Sequence, residues 1–337
     1  MRKVTLFACA VLVLCLLGCV PLTPTPVSRE RHPDTPVPPT PTDVTVPPTE
    51  MLTSQSSLSS SPQIAFHTDR DGNWEIYVMN PDGSDPINLT RHPADDEYPA
   101  WSPDGTQIAF GSDRHGNGEI YVMYADGSQA TRLTKNQDDD MMPAWSPDGG
   151  RIAFATRRHG GLTLYVMNAD GSAQTRLTEQ STVGGGSTWS PDGTRIAFSV
   201  LEEHYISRIY VVNADGSGLT PLTPYGTYRV SSPAWSPDGS RITFVSEKGH
   251  HMKTDLYVMN ADGSGETRLT EGYDLVLGPT WSPDGTRIAF AASVEGGNYE
   301  VYCIDADGSN AVRLTDHPAD DRAPRWSPVT DIFSDLE

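Results

Sequence analysis

The chain has 337 residues, room for one large domain or two ordinary ones, and its 30 glycines and 28 prolines beside 36% apolar residues favour a turn-rich all-β fold over a helical one. With 44 acidic against 24 basic residues the net charge is −20, which repels phosphate backbones and excludes nucleic acid as a partner. Cations, basic peptides and neutral glycans are compatible with that charge, and solubility alone accounts for it equally well.

Arg2 and Lys3 precede an apolar run from Val4 to Leu17. The run is shorter than the about 20 residues of a membrane span and reads as the hydrophobic region of a secretory signal. Leu16-Leu17-Gly18-Cys19 resembles a bacterial lipobox, and the resemblance implies cleavage before Cys19 and a diacylglyceryl group on its sulfur. An ordinary signal peptide or an uncleaved anchor is the alternative. Cys9 and Cys15 lie within the signal, so Cys303 stands alone in the rest of the chain and no disulfide framework exists. In its predicted strand, Tyr302-Cys303-Ile304, it reads as a small buried hydrophobe.

From Val20 to Glu50 the chain carries ten prolines, many in Thr-Pro or Pro-Pro pairs, and Met51 to Ser61 is rich in serine. Neither stretch has a core-forming period; polyproline II and flexible chain are the expected states. The sequence thus divides into a signal peptide (1–18), a lipid-anchored linker (19–62) and a globular domain (63–333).

Trp-Ser-Pro recurs at Trp101, Trp145, Trp189, Trp235, Trp281 and Trp326, at spacings of 44, 44, 46, 46 and 45. Ile-Ala-Phe starts at Ile64, Ile108, Ile152, Ile196 and Ile288, with Ile242-Thr243-Phe244 as the sixth copy. A Tyr-Val-Met-Asn-Ala-Asp-Gly phrase, or a close variant, starts at Tyr77, Tyr121, Tyr165, Tyr210, Tyr257 and Tyr302, and Leu-Thr recurs from Leu89 to Leu314. Ser102-Pro103-Asp104-Gly105 and Asn80-Pro81-Asp82-Gly83 have tight-turn chemistry, and the apolar phrases between such turns read as strands. Each period therefore holds four strands: a ending in Trp-Ser, b as Ile-Ala-Phe, c as Ile-Tyr-Val-Met, and d ending in Leu-Thr. Four short strands per period make one propeller blade, and six periods make a six-bladed β-propeller. The first repeat lacks strand a and the last is followed by an extra one, Arg325-Trp326-Ser327. The tail is expected to complete blade one and leave no open sheet edge. A partial seventh blade over Val329 to Phe333 is too short to favour.

Pro-Ala-Trp-Ser-Pro-Asp-Gly, Arg-Ile-Ala-Phe and Ile-Tyr-Val-Met-Asn-Ala-Asp-Gly-Ser are similar to the WD40-like repeats of TolB-type propellers, from about Gln63 to Pro328. The resemblance implies a periplasmic propeller of the cell envelope. TolB proteins are members of an envelope complex and carry an N-terminal α/β domain for partner contacts, where this chain has an anchor and a stalk.

The a–b and c–d turns are nearly identical in every repeat and share one face; they read as structural. The b–c and d–a connections vary and share the other face, where binding is expected. The d–a connections read Asp95-Asp96-Glu97, Asp138-Asp139-Asp140 and Asp320-Asp321 in three repeats, against Val183-Gly184-Gly185, Tyr228-Arg229-Val230 and Leu275-Val276-Leu277 in the others. Seam closure puts the acidic loops on consecutive blades, so a continuous acidic sector at the channel mouth is expected, suited to a basic peptide or to Ca²⁺ at Asp96, Asp140 and Asp321. The alternative is that each Asp caps its own turn and faces water. His115, His159, His204 and His250-His251 read as solvent-exposed loop residues, with His250 and His251 together a candidate local metal site. Trp74, Tyr205, Tyr225, Tyr228, Tyr273 and Tyr299 are candidates for stacking against sugar or peptide, or for packing on their own hairpins.

No Gly-x-Ser-x-Gly elbow occurs, and no repeat carries a nucleophile, base and oxyanion donor together. The expectation is a monomeric, extracytoplasmic, membrane-anchored lipoprotein that binds an envelope protein, peptide or glycan without catalysis and without a cofactor other than calcium. The alternative is an envelope hydrolase or lyase using channel-mouth carboxylates.

Overall fold

Tight turns that reverse the chain every few residues leave it no choice but antiparallel hairpins, and a computed structural model shows how they assemble. It describes residues 62–328 apart from 180–181, 203–205, 227 and 249–252. The signal peptide, Cys19, the linker and the stretch 329–333 lie outside the described residues.

Six four-stranded antiparallel sheets follow one another, each with strands in the order a-b-c-d. In blade two these are Asp96–Trp101, Gln107–Ser112, Glu119–Tyr124 and Thr131–Arg132. Blade one takes Asp321–Trp326 from the end of the chain as strand a, beside Ile64–Thr68, Glu75–Met79 and Ile87–Asn88 from its start. Trp326 pairs with Ile64, and Gln63 and Ser327 exchange hydrogen bonds of 2.7 Å in both directions. The expected seam closure is therefore present.

The core lies between the sheets. Its six hydrophobic clusters each join two neighbouring blades, and one of them joins blade six (Ala289, Val301, Cys303) to blade one (Ile64, Phe66, Met79, Trp326). Six interfaces for six blades close the ring. The Phe of each Ile-Ala-Phe phrase, or of its variant, is fully buried. Where Arg precedes that phrase, its guanidinium lies over the Trp of the next blade, as with Arg151 on Trp189 (4.7 Å to the ring centroid) and Arg287 on Trp326 (5.2 Å). Cys303 is free and buried, and burial pushes its thiol up.

The a–b turns are built alike. The N–H of Gly105 donates to Ser102 O (2.9 Å), and Ser102 Oγ accepts from the N–H of Gln107 (2.9 Å) and donates to Asp104 (2.5 Å). Strand d is shorter than the sequence suggests: two residues, with Leu-Thr just beyond it. Leu89 N–H still reaches Ile76 O (2.8 Å), and the Thr90 hydroxyl accepts from Ile76 N–H (3.0 Å) while donating to Glu75. Leu-Thr thus fastens strand c from its side chain, which is why it repeats although it lies outside the ladder.

Strand a is irregular in all six blades. The residue three before its Trp has a positive φ: Tyr98 (57°), Met142 (56°), Gly186 (78°), Ser232 (54°), Gly278 (55°) and Ala323 (48°). The pairing of a with b shifts register there in every blade. Innermost strands adjoin around the centre: a Cβ on Gly186 would stand 3.8 Å from Met142 Cβ, and one on Gly278 would stand 3.6 Å from Ala323 Cα.

Candidate functional site

The two adjacent carboxylates of blades one to three divide their work. Asp96, Asp140 and Asp321 open strand a rather than lying in the preceding loop, and all are fully buried. Each faces an arginine from the b–c loop of its own blade: Arg114 on Asp96 (2.9 and 3.0 Å), Arg158 on Asp140 (2.6 Å) and Arg70 on Asp321 (2.9 and 3.0 Å). Burial raises the Asp96 and Asp140 carboxyls, opposed by a strand-b hydroxyl and by the arginine. The arginines in turn lie over the Phe and Tyr rings of strands b and c, 4.7 Å from Tyr121 in the case of Arg114.

The neighbouring carboxylates reach the other way. Asp95, Asp139 and Asp320 each accept the N–H of a residue in the preceding blade: Trp74 (3.0 Å), Gly118 (3.1 Å) and Tyr299 (2.8 Å). One carboxylate therefore braces the b–c loop of its own blade and the other stitches its blade to the one before. Asp138 is exposed.

This corrects the expectation of a free acidic sector. It lies on consecutive blades as expected, but most of its carboxylates are engaged internally. Calcium at Asp96, Asp140 and Asp321 does not fit, because all three carboxylates are turned to guanidinium groups. No three His, Cys, Asp or Glu side chains among the described residues are grouped to hold a metal ion.

Glu97 is the exception. It is 9% exposed, and among the described residues no hydrogen bond engages its carboxylate. Burial, reinforced by Asp95 and opposed by Arg322, pushes its carboxyl up to about 8. Arg322 belongs to strand a of blade one, at the register position opposite His67. Its guanidinium lies over Tyr299 (4.3 Å) and Trp74 (5.3 Å), and its Nη2 donates to Asp320 (2.5 Å). His67 is buried edge-on against Trp74 (4.9 Å) and Tyr98 (5.2 Å), and its Nδ1 accepts the N–H of Tyr98 (3.0 Å). Burial, then Arg322 and Arg325, hold its imidazole well below 6.5. The equivalent residues of the other blades are Gly111, Ala155, Ser199, Val245 and Ala291.

Sequence reasoning named Trp74, Tyr299, Asp95, Glu97 and Asp320 but missed His67, Tyr98, Arg322 and Arg325. Of the other aromatic candidates, Tyr273 packs on Phe290 and Tyr302 of its own blade, Tyr228 packs on the core under Lys248, and Tyr225 is exposed. His115 and His159 are exposed, with a ring nitrogen of each against a strand-c Tyr hydroxyl, at 2.7 Å for His159. Tyr205, His204, His250 and His251 lie outside the described residues.

The family model of the TolB beta propeller domain matches residues 137–231 and 226–334, together more than half of the chain. This chain belongs to the TolB β-propeller family. The model of the Tricorn protease N-terminal beta propeller domain matches residues 59–163, so the two models together span the whole TolB-type ring described above. TolB from Acinetobacter baumannii superposes with a TM-score of 0.70 at 21% identity, over 79% of this chain and 66% of that one. Hydrazine synthase of Kuenenia stuttgartiensis gives 0.67 at 18% identity, over 80% of this chain and 47% of that one. An oligogalacturonate lyase in complex with manganese gives 0.51 at 17%, over 75% and 73%. These likenesses show the propeller fold, which several unlike proteins share. No curated protein matches this TolB-family chain.

Proposed function

We propose that this TolB-family propeller is a non-catalytic binding or scaffold module of the cell envelope. It presents its b–c and d–a face to a protein or peptide. The observation that carries this reading is the loss of repeat symmetry on one face only. The a–b and c–d turns are copied from blade to blade, whereas the inner-strand bulge residues change from Tyr to Met, Gly, Ser and Ala around the ring. Rigid blades with one varied rim are the arrangement of a recognition surface. The pairing of Asp96, Asp140 and Asp321 with arginines takes away the carboxylates most suited to acid–base chemistry.

The lipobox-like Cys19 and the Pro-rich linker support an extracytoplasmic location with membrane attachment through lipid alone, as a monomer held off the bilayer. Labelled fatty acid should enter the full-length chain and not its Cys19→Ser variant, which should move to the soluble fraction. Function is tested by presenting the mature chain with peptide and polysaccharide libraries and scoring retention and turnover together. Retention without turnover is expected. Turnover of a polysaccharide would establish the lyase or hydrolase reading instead.

A further inference from the structure

Arg325 sits one residue before the last Trp, where the other blades have Ala100, Ala144, Thr188, Ala234 and Thr280. Its side chain crosses from blade one towards blade six, and its Nη1 donates to two backbone carbonyls, Pro324 O (2.8 Å) and Gly278 O (3.4 Å). No carboxylate pairs with it among the described residues, although the chain carries a net charge of −20. Among the described residues no acceptor takes its Nε or Nη2. A guanidinium held in a packed channel without an anion is costly to the fold, and two carbonyls do not neutralise it. Burial alone brings it down to about 10. Beside it, Arg322 spends one nitrogen on Asp320 and leaves a buried Nε unpartnered. Both arginines act on His67, which is held neutral and so adds no charge of its own.

We infer that Arg325, with Arg322 and His67 beside it, is a binding site for a peptide carboxylate entering the channel from the b–c and d–a face. The guanidinium offers the paired N–H geometry that carboxylates take. The carboxylate comes from a chain terminus or from an Asp or Glu side chain. This inference rests on the binding reading above and names the ligand chemistry of the same face.

The test uses the mature chain and fluorescent, N-acetylated pentapeptide pools: neutral with a free C-terminus, neutral and amidated, and amidated with one Asp or Glu. Oligogalacturonate serves as a non-peptide carboxylate. Wild type should bind one or both carboxylate pools roughly 10- to 100-fold more tightly than the neutral amidated pool, and Arg325→Ala should abolish that preference. Arg325→Lys should retain part of it. Alanine is the residue of three other blades here, so Arg325→Ala should fold and melt at or above the wild-type temperature. A preference for the free-terminus pool identifies a C-terminal tail, and one for the acidic amidated pool identifies a side chain. Peptide binding that is indifferent to the carboxylate or to Arg325 overturns the inference and leaves the binding reading standing. Arg325-dependent binding of oligogalacturonate alone overturns the peptide assignment. Failure of every ligand on wild type overturns both.

Discussion

Trp326 is the antiparallel partner of Ile64, so the two ends of the described chain share one sheet. Ending the chain before Asp321 would remove strand a of blade one, strip Trp326 from the cluster between blades six and one, and leave Arg70 without its carboxylate. The truncated protein should melt more than roughly 10 °C below wild type or lose its cooperative transition, since several kcal/mol of burial and pairing disappear together. A truncated chain with an unchanged melting curve would mean that the ring does not depend on its seam.

Asp96 and Arg114 form a pair in which the acid is fully buried and the base nearly so. Asp96→Ala leaves a guanidinium without its partner and should cost about 3 kcal/mol in urea unfolding. Arg114→Met in the same chain should restore most of that loss, because the orphaned charge is gone. Equal losses for the single and double variants would show that Asp96 acts through something other than Arg114.

Glu97 and His67 link stability to pH in opposite senses. Between 4.5 and about 8 the folded state keeps a proton on Glu97 that the unfolded chain has released, so stability falls as pH rises through that window. Below 6.5 the unfolded chain protonates His67 while the folded state does not, so stability falls as pH drops. The two effects cancel between about pH 4.5 and 6.5, leaving a decline of about 2 kcal/mol from about pH 6.5 to 8. In Glu97→Gln that decline should vanish, and stability should instead climb with pH up to about 6.5. Denaturant midpoints measured from pH 5 to 8.5 give both slopes.

Gly127 and Gly116 separate two costs of losing glycine. Both have positive φ, 84° and 102°, but a Cβ on Gly127 would meet Leu89 O of the preceding blade at 2.5 Å, whereas one on Gly116 meets nothing within 4 Å. Gly116→Ala should cost about 1 kcal/mol from backbone strain alone, and Gly127→Ala clearly more, because the blades must part to admit the methyl group. Thermal midpoints of the two variants make the comparison.

The blades were legible because each strand carries its own phrase and the phrases recur in one order. Strand d was drawn too long because Leu89 and Thr90 bond to strand c from outside the ladder, and a repeat shows that a residue matters without showing how. The acidic pairs were misread for a related reason: their partners stand in a different loop. Asp69-Arg70-Asp71-Gly72, Asp113-Arg114-His115-Gly116 and Arg157-Arg158-His159-Gly160 occur in the three blades that carry paired aspartates, and that coincidence was a readable signal. His67 and Arg325 were equally visible as departures from Ile-Ala-Phe-small and Pro-Ala-Trp. Only the folded ring brings blade one beside blade six, and so reveals that no carboxylate among the described residues pairs with Arg325.

The kinked residue in each inner strand has an evolutionary corollary. None of Tyr98, Met142, Ser232 and Ala323 belongs to the hydrophobic clusters between blades, and Gly186 and Gly278 have no side chain to contribute. The hub is thus dressed by six positions that stand outside the apolar clusters joining the blades. Selection can widen, narrow or re-dress it one residue at a time while the wheel itself is inherited intact.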